Sequence, residues 1–173
     1  MKKTIKLIVC AFCMLMPQFG MAQSNWDAAT CKDICTILTE QGSVTDNVLV
    51  RGYGYKLVNN IPIGGDYSNG YLSLYTLNMT CDVNGNVVRL GQKGVSNYLL
   101  IGYGPDGEMS IATAFFSAAN AAKFRQQAID AGFQKTRTVK GETYYSAPGM
   151  KMSESSKRFG RFTAYDFTFK LDM

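Results

Sequence analysis

The sequence predicts an α+β domain of two layers, with two amphipathic helices packed on one face of a mostly antiparallel sheet. Three observations predict it. Two stretches carry apolar residues at helical spacing and end at Gly42 and Gly132. Between and after them apolar residues recur at every second position, the period of a half-buried strand. The strand-like stretches are joined by short turns at Asn84-Gly85, Gly104 to Gly107 and Lys140-Gly141, which fold neighbours back antiparallel. Two helices cover only one face of such a sheet.

Residues 1–22 read as a secretory signal peptide. Lys2, Lys3 and Lys6 precede the apolar run Leu7 to Met16, Pro17 and Gly20 break it, and Gly20-Met21-Ala22 places small residues before Gln23. The run is too short for a transmembrane helix, which needs roughly 20 residues. Cys10 and Cys13 lie inside the run rather than after it, the wrong place for a lipid-modified cysteine. The expected localisation is extracytoplasmic, periplasmic or secreted, with no transmembrane segment once the leader is removed. Residues 23–173 then form a single α+β domain, since no linker divides them. They keep fifteen basic and thirteen acidic residues, a net charge of +2 rather than the +5 of the whole chain. That balance does not call for nucleic acid or a membrane surface.

A helix is expected from Trp26 to Gln41, capped by Ser24 or Asn25, with Ala29, Cys31, Ile34, Cys35, Ile37 and Leu38 on one face and Gly42 as its stop. Val48 to Val58 reads as a strand weakened by Gly52 and Gly54, followed by a glycine-rich loop over 61–70. Residues 71–83 and 86–91 flank the Asn84-Gly85 hairpin signal, and 97–103 and 108–116 flank the Gly104 turn. A second helix covers 118–131, with Ser117 as its cap and Gly132 as its end. Residues 134–146 form a hairpin around Lys140-Gly141, and 147–160 read as a polar loop. The last segment alternates Tyr165, Phe167, Phe169 and Leu171 against Asp166, Thr168 and Lys170. Helix, strands, helix, strands suggests weak internal duplication of a helix-plus-strands unit. The order is loosely similar to that of small secreted inhibitor and envelope-associated domains that repeat such a unit, a likeness of fold alone.

Chemistry is sparse. No histidine occurs in 173 residues, which removes His-based nucleophile pairs and His-ligated metals. No cofactor and no metal site is expected. In "CKDIC" the spacing is C-x-x-x-C inside a helix rather than C-x-x-C at a helix start, so a redox pair is disfavoured. In an oxidising compartment Cys35 with Cys81, or Cys31 with Cys81, is an available disulfide, and three reduced core cysteines are the competing reading. Gly102 to Gly107 matches G-x-G-x-x-G, but Pro105-Asp106 makes it a turn rather than a helix start. Asp82, Asn84 and Asn86 resemble calcium ligands without the closing glutamate.

Two features point to binding. Tyr53, Tyr55, Tyr67, Tyr71 and Tyr75 supply rigid contact area with polar tips, and Lys151, Lys157, Arg158 and Arg161 mark a basic stretch. The expected function is an exported bacterial non-catalytic binding domain for an unknown protein or envelope ligand, met through the open sheet face or the 59–70 loop. The alternative is a small extracytoplasmic hydrolase or lyase using carboxylates and tyrosines in a cleft. The missing acid–base groups favour the first.

Overall fold

A computed structural model describes residues 26–62, 67–82, 84–159 and 161–172. The class is α+β with an antiparallel sheet. Helix α1 (Cys31–Glu40) is followed by α2 (Ser43–Asp46), a π-helical turn (Asn47–Tyr53) and strand β1 (Lys56–Pro62). A 3-10 turn (Tyr67–Asn69) leads to β2 (Tyr71–Leu77), β3 (Met79–Cys81), β4 (Val87–Leu90), β5 (Asn97–Tyr103) and β6 (Met109–Phe115). Helix α3 (Ala118–Asp130) precedes β7 (Gln134–Val139), β8 (Glu142–Ala147), β9 (Met150–Phe159) and β10 (Phe162–Leu171).

Eight strands form one sheet in the order β1-β2-β5-β6-β10-β9-β8-β7, and β3 and β4 make a separate hairpin. Every pairing is antiparallel. The order reads alike from both ends. Each half is four strands in sequence order, and the last strands of the halves, β6 and β10, meet at the centre. Both edge strands bulge at their third residue, between Leu57 and Asn59 and between Lys135 and Arg137.

The N-terminal helix starts later than its periodicity suggests. Thr30, not Ser24 or Asn25, is its cap: the Asp33 amide donates to Thr30 Oγ1 at 3.3 Å and the Thr30 amide to Asp33 Oδ2 at 2.8 Å, a capping box. Trp26 to Ala29 instead runs ahead of the helix. Val95 N donates to Asp27 Oδ1 at 2.9 Å, and the Trp26 ring lies 5.4 Å from Phe115. The strand expected over Val48 to Val58 is also replaced. Asn47–Tyr53 winds as a π-helix closed by Gly54 at φ 77°, and strand begins only at Lys56. The polar loop expected over 147–160 is strand β9. Its Met150 and Met152 face the core, while Glu154 and Arg158 break the apolar alternation on that face. The end of α3 is as expected: Phe133 N reaches Ala128 O at 3.0 Å past Gly132 at φ 92°.

α1 touches β6 and β10, α3 touches β6, and the two helices touch each other. The core gathers Ile34, Ile37 and Leu38 of α1, Ala121, Phe124 and Ala128 of α3, and Leu99, Ile101, Ile111, Phe115, Phe167 and Phe169 of the sheet. These sheet residues define a core face. The intervening positions define an outer face, where Leu74, Ala114 and Ala164 are also buried, apart from that core. Among the described residues no helix is long and apolar enough to cross a membrane.

Candidate functional site

Four of the tyrosines singled out from the sequence, Tyr53, Tyr55, Tyr71 and Tyr75, turn toward the core side. Tyr55 is 1% exposed; its hydroxyl donates to Asn97 Oδ1 and accepts from Ala29 N at 3.2 Å. Tyr75 is buried and its hydroxyl donates to Asp46 Oδ1 at 3.2 Å. Half-buried Tyr53 donates to Asp33 Oδ2 at 2.6 Å, tying the π-helix to the α1 cap. Tyr71 stacks on Tyr103 with centroids 4.7 Å apart. Burial first, then neighbouring carboxylates, pushes the Tyr53 and Tyr75 hydroxyls well above the ordinary range. Tyr67 opens the 3-10 turn, and its side chain lies outside the described residues, as do residues 63–66 of the 59–70 loop. The structure thus brings Tyr71 to Tyr103 and Tyr53 to Tyr55, but it does not place Tyr55 or Tyr75 on a surface.

The cysteine pairing with Cys81 is not formed. Cys31 and Cys35 are buried on α1, Cys81 is half-buried on β3, and no disulfide joins them. The reason is topological. α1 packs on the core face, whereas the β3–β4 hairpin folds over the outer face. Its turn brings Gly85 against Leu74, a residue one position out of phase with core-facing Tyr75. The sheet separates the thiols. Burial, with Asp82 beside it, raises the Cys81 thiol above its ordinary value.

The outer face is divided. Its first half, over β2 and β5, is covered in part by the β3–β4 hairpin, whose Gly85 lies against Leu74, and is open at Leu72 and Gly102. At the centre, Tyr98 lies 5.8 Å from Phe159 and 6.2 Å from Phe116, and Phe116 lies 6.3 Å from Phe162. These rings adjoin Ala114, Ala164 and Asp166, which are nearly inaccessible. Asp166 Oδ2 holds Lys157 Nζ at 3.1 Å.

The second half, over β10, β9 and β8, carries an open trough of about 690 Å³. Register builds its floor: Thr168 lies opposite Ser153, Ser153 opposite Tyr144, and Tyr144 opposite Arg137. Lys151, Lys170, Ser146 and Glu142 complete the lining. The Arg137 guanidinium sits 4.8 Å from the Tyr144 ring centroid, and Tyr144 Oη donates to Glu142 Oε2 at 2.8 Å. Lys170 also lines a second groove of about 640 Å³ beside the β5–β6 turn, with Gly102, Ser110, Asp106 and Glu108. The trough therefore offers an aromatic ring, a row of small hydroxyls and cations at its ends.

Its carboxylate–tyrosine pair, Glu142 with Tyr144, is hydrogen-bonded to itself. Hydrogen bonding from Ser153, then Tyr144, holds Glu142 below the ordinary carboxylate range, and the bond to Glu142 raises Tyr144. A general acid or base is most effective with its pKa near the working pH. Asp106 and Glu108 lie in and beside the turn that Gly107 N closes onto Gly104 O at 3.0 Å. The Asp82 carboxylate accepts from Asn84 N, Asn86 N and Asn86 Nδ2, each at 2.9 Å, so its oxygens close a turn.

On the core face, Glu154 accepts from Arg125 Nε at 2.8 Å and from Tyr145 Oη at 2.9 Å, clamping α3 to β8 and β9. The trough residues Arg137, Tyr144, Ser153 and Thr168 were not singled out by the sequence. Reading 147–160 as a loop hid β9, and without β9 the neighbours of Tyr144 have no address. The signal present was Tyr144 and Ser146 at alternate positions in a hairpin. Compared with known protein families, curated proteins and solved structures, the chain matches none.

Proposed function

We propose that the chain is an exported, non-catalytic binding domain, residues 23–173 after removal of a leader at 1–22, working outside the cytoplasm. It meets its ligand with the trough on the outer face of β8, β9 and β10. The observation that carries this reading is the asymmetry of that face. One half carries the chain's own hairpin, with a groove left open only toward the β5–β6 turn, and the other is left concave along β8 to β10, with Tyr144, Ser153, Thr168, Arg137 and Lys170 converging on it. Such a mixture of a rigid aromatic and a few polar groups is how binding clefts gain orientation and specificity. Glu142, the carboxylate of the trough, already accepts from Tyr144, which leaves the pair as a recognition element.

The finer architecture belongs to the same reading: two helices over one face, in a duplicated unit of one helix and four meandering strands. The palindromic strand order and the bulge at the third residue of β1 and of β7 support it. The β3–β4 hairpin is then an insertion in the first unit alone, and the trough is the second unit's counterpart of the surface that hairpin covers.

The test is capture from the native envelope with residues 23–173 as bait, beside a Tyr144→Ala/Thr168→Arg variant of unchanged circular dichroism. A ligand retained by the native protein and lost by the variant supports the trough. Equal capture by both moves the contact surface elsewhere.

A further inference from the structure

We propose that the end of the β9–β10 hairpin docks on an anionic phospholipid surface, with Arg158 and Arg161 meeting lipid phosphates and Phe159 and Phe162 entering the interfacial layer. The hairpin outruns its neighbours. β10 pairs with β6 only from Tyr165 onward, and β9 pairs with β8 only as far as Glu154. Ser156 to Phe159 and Phe162 to Ala164 therefore pair with each other alone.

This end is basic and aromatic together. Arg158 and Arg161 are exposed, and neither is in an ion pair among the described residues. Phe159 and Phe162 pair across the hairpin, each packed on one side against the outer-face cluster, Phe159 on Tyr98 and Phe162 on Phe116, and partly exposed on the other, and the Arg161 guanidinium lies 5.0 Å from the Phe162 centroid. Lys157 is paired with Asp166, which leaves the two arginines as the cations on offer. A small soluble anion needs donors that converge in a pocket. Guanidiniums flanking rings at the end of a hairpin suit a layered partner, phosphate outside and hydrocarbon beneath.

The charge of the whole chain orients the same approach. Residues 23–117 carry five basic and eight acidic side chains, and residues 118–173 carry ten basic and five acidic. The halves are thus −3 and +5, and the field turns the second half, with its hairpin end, toward an anionic surface.

The experiment uses residues 23–173, which hold every described element, in co-sedimentation with phosphatidylcholine vesicles with and without phosphatidylglycerol. Binding is expected to the anionic vesicles alone and to weaken as salt rises. Each cation near an anionic surface contributes about 1 kcal/mol, so R158Q lowers the partition about 5-fold and R158Q/R161Q about 30-fold, while Tyr144→Ala in the trough leaves it unchanged. R158Q alone alters only an exposed side chain and serves if the double variant is unstable. Equal binding to neutral vesicles, native partition of R158Q and R158Q/R161Q, or capture by soluble polyglutamate with no vesicle binding would overturn the proposal.

Discussion

Asn97 is fully buried, and its amide is spent in three directions: it accepts from Tyr55 Oη and donates to Thr113 Oγ1 and Ala114 O, both at 2.8 Å. Tyr55→Phe removes the hydroxyl that joins Asn97 to the Ala29 amide, leaving buried groups unsatisfied at about 1–3 kcal/mol. We expect a loss of that size in urea unfolding. Glu154 gives a second prediction. Burial raises its carboxyl, but hydrogen bonds from Arg125 and Tyr145 with the charge of Arg125 outweigh burial and hold it below its ordinary 4.5. A lowered folded-state value means that the unfolded chain binds the proton more readily. The stabilisation is therefore complete above pH 4.5 and is lost as pH falls through the folded value. Urea midpoints of the native protein should fall along that acid limb, and Glu154→Gln should flatten it. Tyr145, pushed up to about 12 by burial and by Glu154, acts on the alkaline side, where its contribution declines from about pH 10. Cys81→Ser should cost under about 1 kcal/mol even in oxidising buffer, against the roughly 2–5 kcal/mol of a lost disulfide.

The elements are held in register by a few backbone positions, and Gly70 is the most constrained. It enters β2 at φ 96°, where a Cβ would strike the Tyr103 carbonyl. Gly70→Ala adds left-handed strain of about 1–2 kcal/mol to that collision, so we expect a loss above about 2 kcal/mol and a changed near-ultraviolet signal from the Tyr71–Tyr103 stack. Gly107→Ala, at φ 76° with open space around it, should cost only the strain. Such turns were the legible part of the chain. Gly85, Lys140-Gly141 and Gly132 each end or reverse an element at a positive φ, and β10 shows its alternation outright. Two elements were not legible. Val48 and Val50 before two glycines have strand composition, yet they wind as a π-helix that sets Val48 against the core and bonds Tyr53 to Asp33 of α1. β9 faces the core with Met150 and Met152 but then with Glu154, whose burial depends on Arg125, 29 residues earlier in the chain. The candidate site inherits that gap, because its floor is built across β8, β9 and β10. That Tyr55 and Tyr75 lie in the core was hidden for the mirror reason: alternation tells which residues share a face, but not which face the helices take.

At the scale of the whole molecule the two halves meet along one strand pair, β6 with β10, yet their core is shared. Phe124 of α3 packs 4.9 Å from Phe115 of β6 and 5.0 Å from Phe167 of β10, and Trp26 from the opposite end of the chain lies 6.5 Å from Phe124. Gln127 of α3 accepts from the Cys31 amide at the start of α1 at 3.1 Å. A chain divided after Ser117 therefore leaves each piece with half of an aromatic cluster. The second piece, residues 118–173, would expose Phe124, Phe167 and Phe169, and at its length a core of its own is marginal. The two pieces should each be unfolded by circular dichroism and should regain strand signal when mixed in equal amounts, with β6 and β10 rejoining. The intact domain should unfold in one transition, coincident by fluorescence of its single Trp and by far-ultraviolet signal. Independent folding of residues 118–173, or two separated transitions, would mean that the halves are autonomous units in contact rather than one domain with a common core.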